Sequence, residues 1–263
     1  MREQYPKLKF NMLRVYFGKP YVIDLDNAEG SITIKDPGIR AAFIDSDETD
    51  FWGTVRIFTS NTTLFRAFLF DMGLDWNEVT DFQLFQLLYK QADPEICKML
   101  FGDDIDWEGF ELFEKRDKDK DESALVLYNA HTQTEINEDV YQHMHQYICT
   151  MFHMFPEDEL TNDKTLKKWW IDKDKREAAR NAKKKTEEFS IQPLISACVN
   201  HPGFKYKLHE MEEMSLAEFY DSVSRLQVYE SSTALLKGMY SGMIDGSKIK
   251  PEDYNWMKPL GVN

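Results

Sequence analysis

From residue 137 almost to its end the chain carries helical periodicity, and no alternating, strand-like run interrupts it. That stretch constrains the fold more than anything else here. Half the molecule has to be a set of helices, each burying one face against a neighbour. The run "NEDVYQHMHQYICTMFHM" (137–154) offers Asn137 as a cap. It places Val140, Met144, Ile148, Met151 and Phe152 on one face, and Pro156 closes it. Residues 163–188, "DKTLKKWWIDKDKREAARNAKKKTEE", predict a long polar helix. Residues 191–200, "IQPLISACVN", predict a short apolar one with Pro193 in its first turn, where a missing N–H costs nothing. Residues 215–241 predict a second long helix, with Ser215 as cap and Glu218 three residues on, a capping box. The tail "IDGSKIKPEDYNWMKPL" reads as an extended or short helical appendage.

The first half follows a different logic. Residues 8–34 are β-rich and punctuated by turn residues at Gly18–Pro20 and Asn27–Gly30, so strands are expected there. "SNTTLFRAFLFDMG" predicts a helix capped by Asn61 or Thr62, with Leu64, Phe65, Phe68, Leu69 and Met72 as its apolar stripe. "VTDFQLFQLLYKQ" predicts another, capped by Thr80. "GFELFEKR" and "SALVLYN" flank a polar run, the pattern of a hairpin. The expected fold class is therefore α+β: a β-rich N-terminal part with short helices and a hairpin, then a mainly α-helical part with two long helices. The expected domains are 1–133 and 134–263.

Composition narrows the function. With 42% apolar and 14% aromatic residues in 263, the chain can build a sizeable core. Three cysteines, widely spaced and without a CxxC pair, fit a reducing compartment. The opening residues, MREQYPKLKFNML, have no apolar stretch behind their charges, and no run is long enough to span a bilayer. Neither a secretory leader nor a membrane span is expected. The formal net charge of −14 argues against nucleic acid unless a local patch reverses the field.

Such a patch exists. The window 164–185 holds ten basic residues and three acids, a local excess of seven positive charges that leaves −21 on the remainder. Three readings follow from it: phosphate contact, attraction to an acidic protein surface (another copy included), or a solvated helix with internal ion pairs. Trp169 and Trp170 sit inside the window and point about 100° apart on a helix. Either one packs inward while the other waits for a partner, or both are half-buried at a domain boundary. The last long helix finishes with "LLKGMYSGMIDG". There Gly238, Gly242 and Gly246 recur every four residues among Leu235, Met239, Tyr240 and Met243. Small residues at that spacing admit another backbone closely, and methionines adapt to many partners. Helix fraying with a C-cap explains the same glycines.

Candidate chemistry is sparse. "EKRDKDKDESA" alternates Asp117, Asp119 and Asp121, as a calcium loop begins. An EF-hand needs Gly at its sixth position and Glu at its twelfth, where Glu122 and Tyr128 stand. A solvated hairpin tip is expected instead. His145, Cys149 and His153 share a helix face, but eight residues rise about 12 Å, too far for the outer pair to share one ion. Asp103, Asp104 and Asp106 read as turn acids before a strand. No GxSxG elbow, phosphate-cradling loop or dinucleotide fingerprint occurs. No catalytic residue, cofactor or metal is expected, and the chain is expected not to be an enzyme.

Several stretches together resemble tail-module proteins of long-tailed phages of Gram-positive bacteria. They are "TSNTTLFRAFLFDMGLDWNEVTDFQLFQLLY", "MLFGDDIDWEGFELF", "INEDVYQHMHQYI", "WWIDKDKREAARNAKKK", and "FSIQPLISACVNHPGFKYKLHEMEEMSLAEFYDSVSRLQVYESSTALLKGMYSGMID". Arg176, Arg180, Asn181 and Lys183 carry the charged-helix part of the likeness, and Pro193–Ser196 the apolar part after it. Such proteins include some that resemble tail assembly chaperones, which bind the tape-measure protein before the tail tube polymerises, and others that are virion components. The resemblance implies binding rather than catalysis. The expected partners are phage tail proteins, such as the tape-measure or tail tube protein, or a second copy, in the host cytoplasm or the virion. The partner-binding residues expected from the two helices are Lys167, Lys168, Trp169, Trp170, Arg176, Arg180 and Lys183, with Leu235, Met239, Tyr240 and Met243. The alternative is a nucleic-acid-binding phage protein that uses residues 164–185.

Overall fold

The computed structural model describes residues 5–25, 30–117, 122–183 and 190–260. The fold is α+β, with small antiparallel sheets in the N-terminal half and helices in the C-terminal half. In order, the N-terminal half runs α1 (Met12–Tyr16), β1 (Tyr21–Asp24), β2 (Ser31–Ile34), α2 (Ile39–Phe43), α3 (Glu48–Thr59), α4 (Arg66–Asp71), α5 (Asp81–Leu88), α6 (Pro94–Phe101), β3 (Phe110–Asp117), β4 (Glu122–Asn129) and β5 (Thr134–Ile136). Helices follow: α7 (Glu138–Phe152), α8 (Lys164–Lys183), α9 (Gln192–Asn200), α10 (Leu208–Met211), α11 (Leu216–Tyr240) and α12 (Pro251–Tyr254).

β1 and β2 pair antiparallel, Val22 facing Thr33. The second sheet has the order β3-β4-β5, with Phe110 opposite Asn129 and Leu127 opposite Ile136. Its hairpin is the expected one, and it gains a third strand. The tip that carries most of the aspartate run lies outside the described residues. Residues 8–34 are less strand-rich than expected. The Asn11 side chain accepts from the N–H groups of Leu13 and Arg14, and that cap turns 12–16 into a helical turn.

The helix expected after Asn61 begins only at Arg66. Asn61 and Thr62 are buried, and Asn61 caps a non-helical turn over 62–65 ahead of α4. The Thr62 N–H donates to Asp81, its hydroxyl donates to the Trp76 carbonyl, and Asn61 accepts from the Leu64 N–H. The apolar stripe splits accordingly: Leu69 is buried, while Leu64, Phe68 and Met72 are exposed. Thr80 and Gln83 do form a capping box on α5.

The core centres on α3 and α7. Phe58 meets Phe85, Phe101 and Trp107 at ring distances of 5.0–5.4 Å, and Phe85 stacks on Tyr141 at 4.8 Å. Each such ring adds about 0.5–1.5 kcal/mol beyond its area burial. Asn137 caps α7, and Val140, Met144, Ile148, Met151 and Phe152 are all buried, as their spacing requires.

A second set of contacts fastens α11 to the N-terminal half. The Leu216 and Ala217 N–H groups donate to the Asp36 carboxylate, Leu216 N–H also to the Pro37 carbonyl (3.0 Å), and Ile39 N–H to the Met214 carbonyl (3.0 Å). Ser215 caps α11 through the Glu218 N–H. The expected reciprocal bond from Glu218 is not made, because its carboxylate accepts from the Tyr206 hydroxyl at 2.6 Å.

Candidate functional site: a half-docked cationic helix

α8 sits on the surface with its first half docked and its second half open. Trp170 and Ile171 point inward. Ile171 is buried, and Trp170 meets Trp76 edge-to-face at 6.5 Å. The socket is built around Arg66, a buried cation placed by the first turn of α4. Its guanidinium lies 5.2 Å from the Trp170 ring and donates to both carboxylate oxygens of Asp174 and to Glu159. A buried charge is tolerable only with such partners. Arg66 was not foreseen as a site residue; its signal was a lone charge inside the apolar run "LFRAFLF". Lys167 pairs with Asp75 and lies over the Trp76 ring at 5.3 Å, and Lys175 pairs with Asp71. The link 153–163 completes the socket. Trp76 Nε1 donates to the Glu159 carbonyl (3.1 Å) and Asn61 Nδ2 to the Glu157 carbonyl (3.1 Å).

The opposite face is free. At about 100° per residue, Lys173, Arg176 and Arg180 fall within about 40° of the direction of Trp169. Trp169 is 52% exposed, and the Lys173 ammonium lies 5.8 Å over its ring. Lys168, Lys173, Arg176 and Arg180 make no ion pair among the described residues; Arg176 donates only to the Asp172 carbonyl. From Lys175 to Asn181 every side chain is exposed. The seven basic-helix residues thus separate: Lys167 and Trp170 hold the helix down, while Lys168, Trp169, Arg176 and Arg180 face outward. Lys183 ends α8, and its side chain lies outside the described residues, as do Lys184 and Lys185.

The second expected surface is arranged differently from a helix face. α11 stops at Tyr240, and Gly242 takes φ +74°, a left-handed conformation that favours glycine. A Cβ on Gly238 would lie 2.5 Å from Ile244 Cδ1, so this glycine admits the chain's own fold-back. The C-terminal segment then runs beside α11. Arg225 donates to the Trp256 and Lys258 carbonyls at 2.7 and 2.8 Å, and Tyr229 meets Trp256 edge-on at 5.6 Å. Leu235 and Met239 are half-buried; Tyr240 and Met243 are 85% and 87% exposed.

The remaining candidates take structural positions. His145 Nδ1 lies 2.7 Å from the Phe58 carbonyl and its Nε2 lies 3.8 Å from Cys149 Sγ. His153 is the left-handed C-cap of α7. Burial pushes the Cys149 thiol well above its ordinary range. Trp107 is buried and donates to the Tyr89 carbonyl, and Asp106 accepts from the Gly109 N–H, so that acidic cluster forms a turn. Among the described residues no group of three His, Cys, Asp or Glu side chains could hold a metal ion, and no helix is long and apolar enough to cross a membrane.

Residues 182–261 match the family model of the YomV second domain. YomV is a phage-type protein, and the match points to a phage protein. It covers less than a third of the chain, from the end of α8 through α12. No curated protein and no solved structure matches. The YomV-like segment therefore begins where the cationic helix ends. It contains α11 and its fold-back, and Asp36, Arg40 and Glu48 of the N-terminal half hold it in place.

Proposed function

We propose that this chain is a non-enzymatic phage assembly protein of the tail module. It binds another protein through the outward face of α8 in the host cytoplasm. The observation that carries this reading is a cationic face without ion pairs among the described residues, with Trp169 at its centre, on a molecule whose remainder is strongly acidic. The match to the YomV second domain supports the phage setting, and the resemblance to tail assembly chaperones supplies the tail. A cationic face of this kind steers an acidic protein surface and fixes its register, while the exposed indole supplies a compact apolar anchor. The partner class is the tape-measure protein, the tail tube protein or a second copy of the chain. Chaperoning fits a surface that holds by charge and releases as a tighter contact forms elsewhere.

The test is co-expression with the tape-measure and tail tube proteins of the same phage. The complex is then measured by calorimetry for the wild type and for Arg176→Glu/Arg180→Glu. A complex that weakens at least about tenfold on charge reversal is expected. No complex with either protein would sink the reading. A low-salt gel shift abolished by the same substitutions would move it to nucleic acid.

A further inference from the structure

The distal part of α11 and the segment after it form an arm with almost no core of its own. Beyond Val223, Ser232 is the one residue of α11 that is buried, and from Ser241 to Leu260 not one is. The segment 243–260 turns back at Gly242 and lies along α11 as a strap. Among the described residues, its hydrogen bonds to the rest of the chain all go to that helix. The Met243 and Ile244 N–H groups donate to the Gly238 carbonyl at 3.0 and 3.1 Å, and Arg225 donates to the Trp256 and Lys258 carbonyls. The Trp256 ring meets Tyr229, and Ile244 occupies the space that Gly238 leaves open. A segment with no buried side chain and so few bonds opens at little cost.

The hinge of the strap is equally plain. Gly242 takes φ +74°, and nothing lies within 4 Å of where its Cβ would stand, so the backbone alone calls for glycine there. On either side of this hinge stand Tyr240 and Met243, the two most exposed large apolar side chains among the described residues. The closed turn leaves both in water. The strap itself carries three acids and three lysines, so placing it on another acidic molecule adds no net repulsion.

We propose that α11 of one copy receives the strap of a second copy, in a reciprocal exchange about a two-fold axis. The occupant follows from the contacts already formed. The seat on α11 takes an indole against Tyr229, two carbonyls at Arg225 and a branched side chain over Gly238. An identical strap supplies all three. Exchange keeps each of these contacts and releases the left-handed turn, which is why swapping an element is a low-cost route to a dimer. It also brings two opened hinges together at the axis, where Tyr240 and Met243 of both copies cover one another. This goes beyond the α8 reading and makes no use of its cationic face.

The test uses the full chain. Sedimentation velocity over a concentration series should show a monomer–dimer equilibrium. A valine side chain has room at position 242 but disfavours the left-handed backbone, so Gly242→Val should tighten the dimer at least about tenfold. For the exchange itself, Trp256 is replaced by the photoreactive p-benzoylphenylalanine. Chains grown on light and on heavy nitrogen are mixed, equilibrated and irradiated. Cross-links from position 256 to α11 should join light to heavy peptides in the dimer fraction and stay within one isotope in the monomer. A wild type that remains monomeric at its highest soluble concentration would overturn the proposal. So would a dimer that Gly242→Val does not strengthen, or one whose strap cross-links are all of one isotope. Arg176→Glu/Arg180→Glu should leave the dimer unchanged. A dimer lost on that reversal would place self-association on α8 and overturn the exchange.

Discussion

Asp36 shows how one side chain joins two parts of this molecule. It accepts from the Leu216 and Ala217 N–H groups at the start of α11, yet burial outweighs those bonds and pushes its carboxyl up to about 6. The folded state therefore holds this proton more tightly than the unfolded chain, whose aspartates titrate near 4. Its contribution to stability is full below about pH 4 and falls as pH rises to about 6, by up to about 3 kcal/mol. Asp36→Asn keeps an acceptor for the helix and removes the charge. Denaturant midpoints across this pH range should show the variant gaining on the wild type as pH rises, then a constant difference above about pH 7. A second residue-scale prediction concerns Arg66. Arg66→Ala leaves Asp174 and the half-exposed Glu159 unpaired and empties the Trp170 contact. The loss should be roughly 2 kcal/mol in urea melts, below the range for a fully buried pair because Glu159 reaches solvent. Neither role was legible from the sequence. Asp36 and Arg66 have partners 180 and 108 positions away, and nothing local announces such pairs.

At the scale of elements, capping and periodicity carried most of the information. Thr80, Asn137 and Ser215 cap the helices their positions announce. α3, capped by Asp47 with Phe51, Val55 and Phe58 buried on one face, was not among the helices expected from the sequence. α4 was misleading, because its apolar spacing is regular while only part of the stripe is buried. α8 divides at its tryptophans. Trp170→Ala should release the helix from its socket, and hydrogen exchange over 164–175 should quicken markedly. Trp169→Ala should leave that exchange unchanged while weakening partner binding, since its half-exposed indole lies on the outward face beside Lys173. Equal effects of the two substitutions would count against the division.

On the scale of the whole molecule, the dominant property is charge segregation: an acidic body with a cationic face whose Debye-screened reach is about 8 Å at physiological salt. Partner association should therefore slow and weaken as salt rises. Stopped-flow association rates should fall steeply between low and physiological ionic strength, while the dissociation rate, set by the Trp169 anchor, should change little. The sequence by itself determined the fold class, the long helices, the caps at Thr80, Asn137 and Ser215, and the size of the positive excess, because helical periodicity, capping chemistry and formal charge are local or additive. Only the tertiary structure decided which lysines pair with Asp71 and Asp75 and which make no ion pair among the described residues. It alone turned the glycine series into a fold-back, and it alone left Leu64 and Phe68 exposed. Those outcomes depend on which distant surfaces meet, and periodicity along a chain cannot specify a neighbour that is remote in sequence.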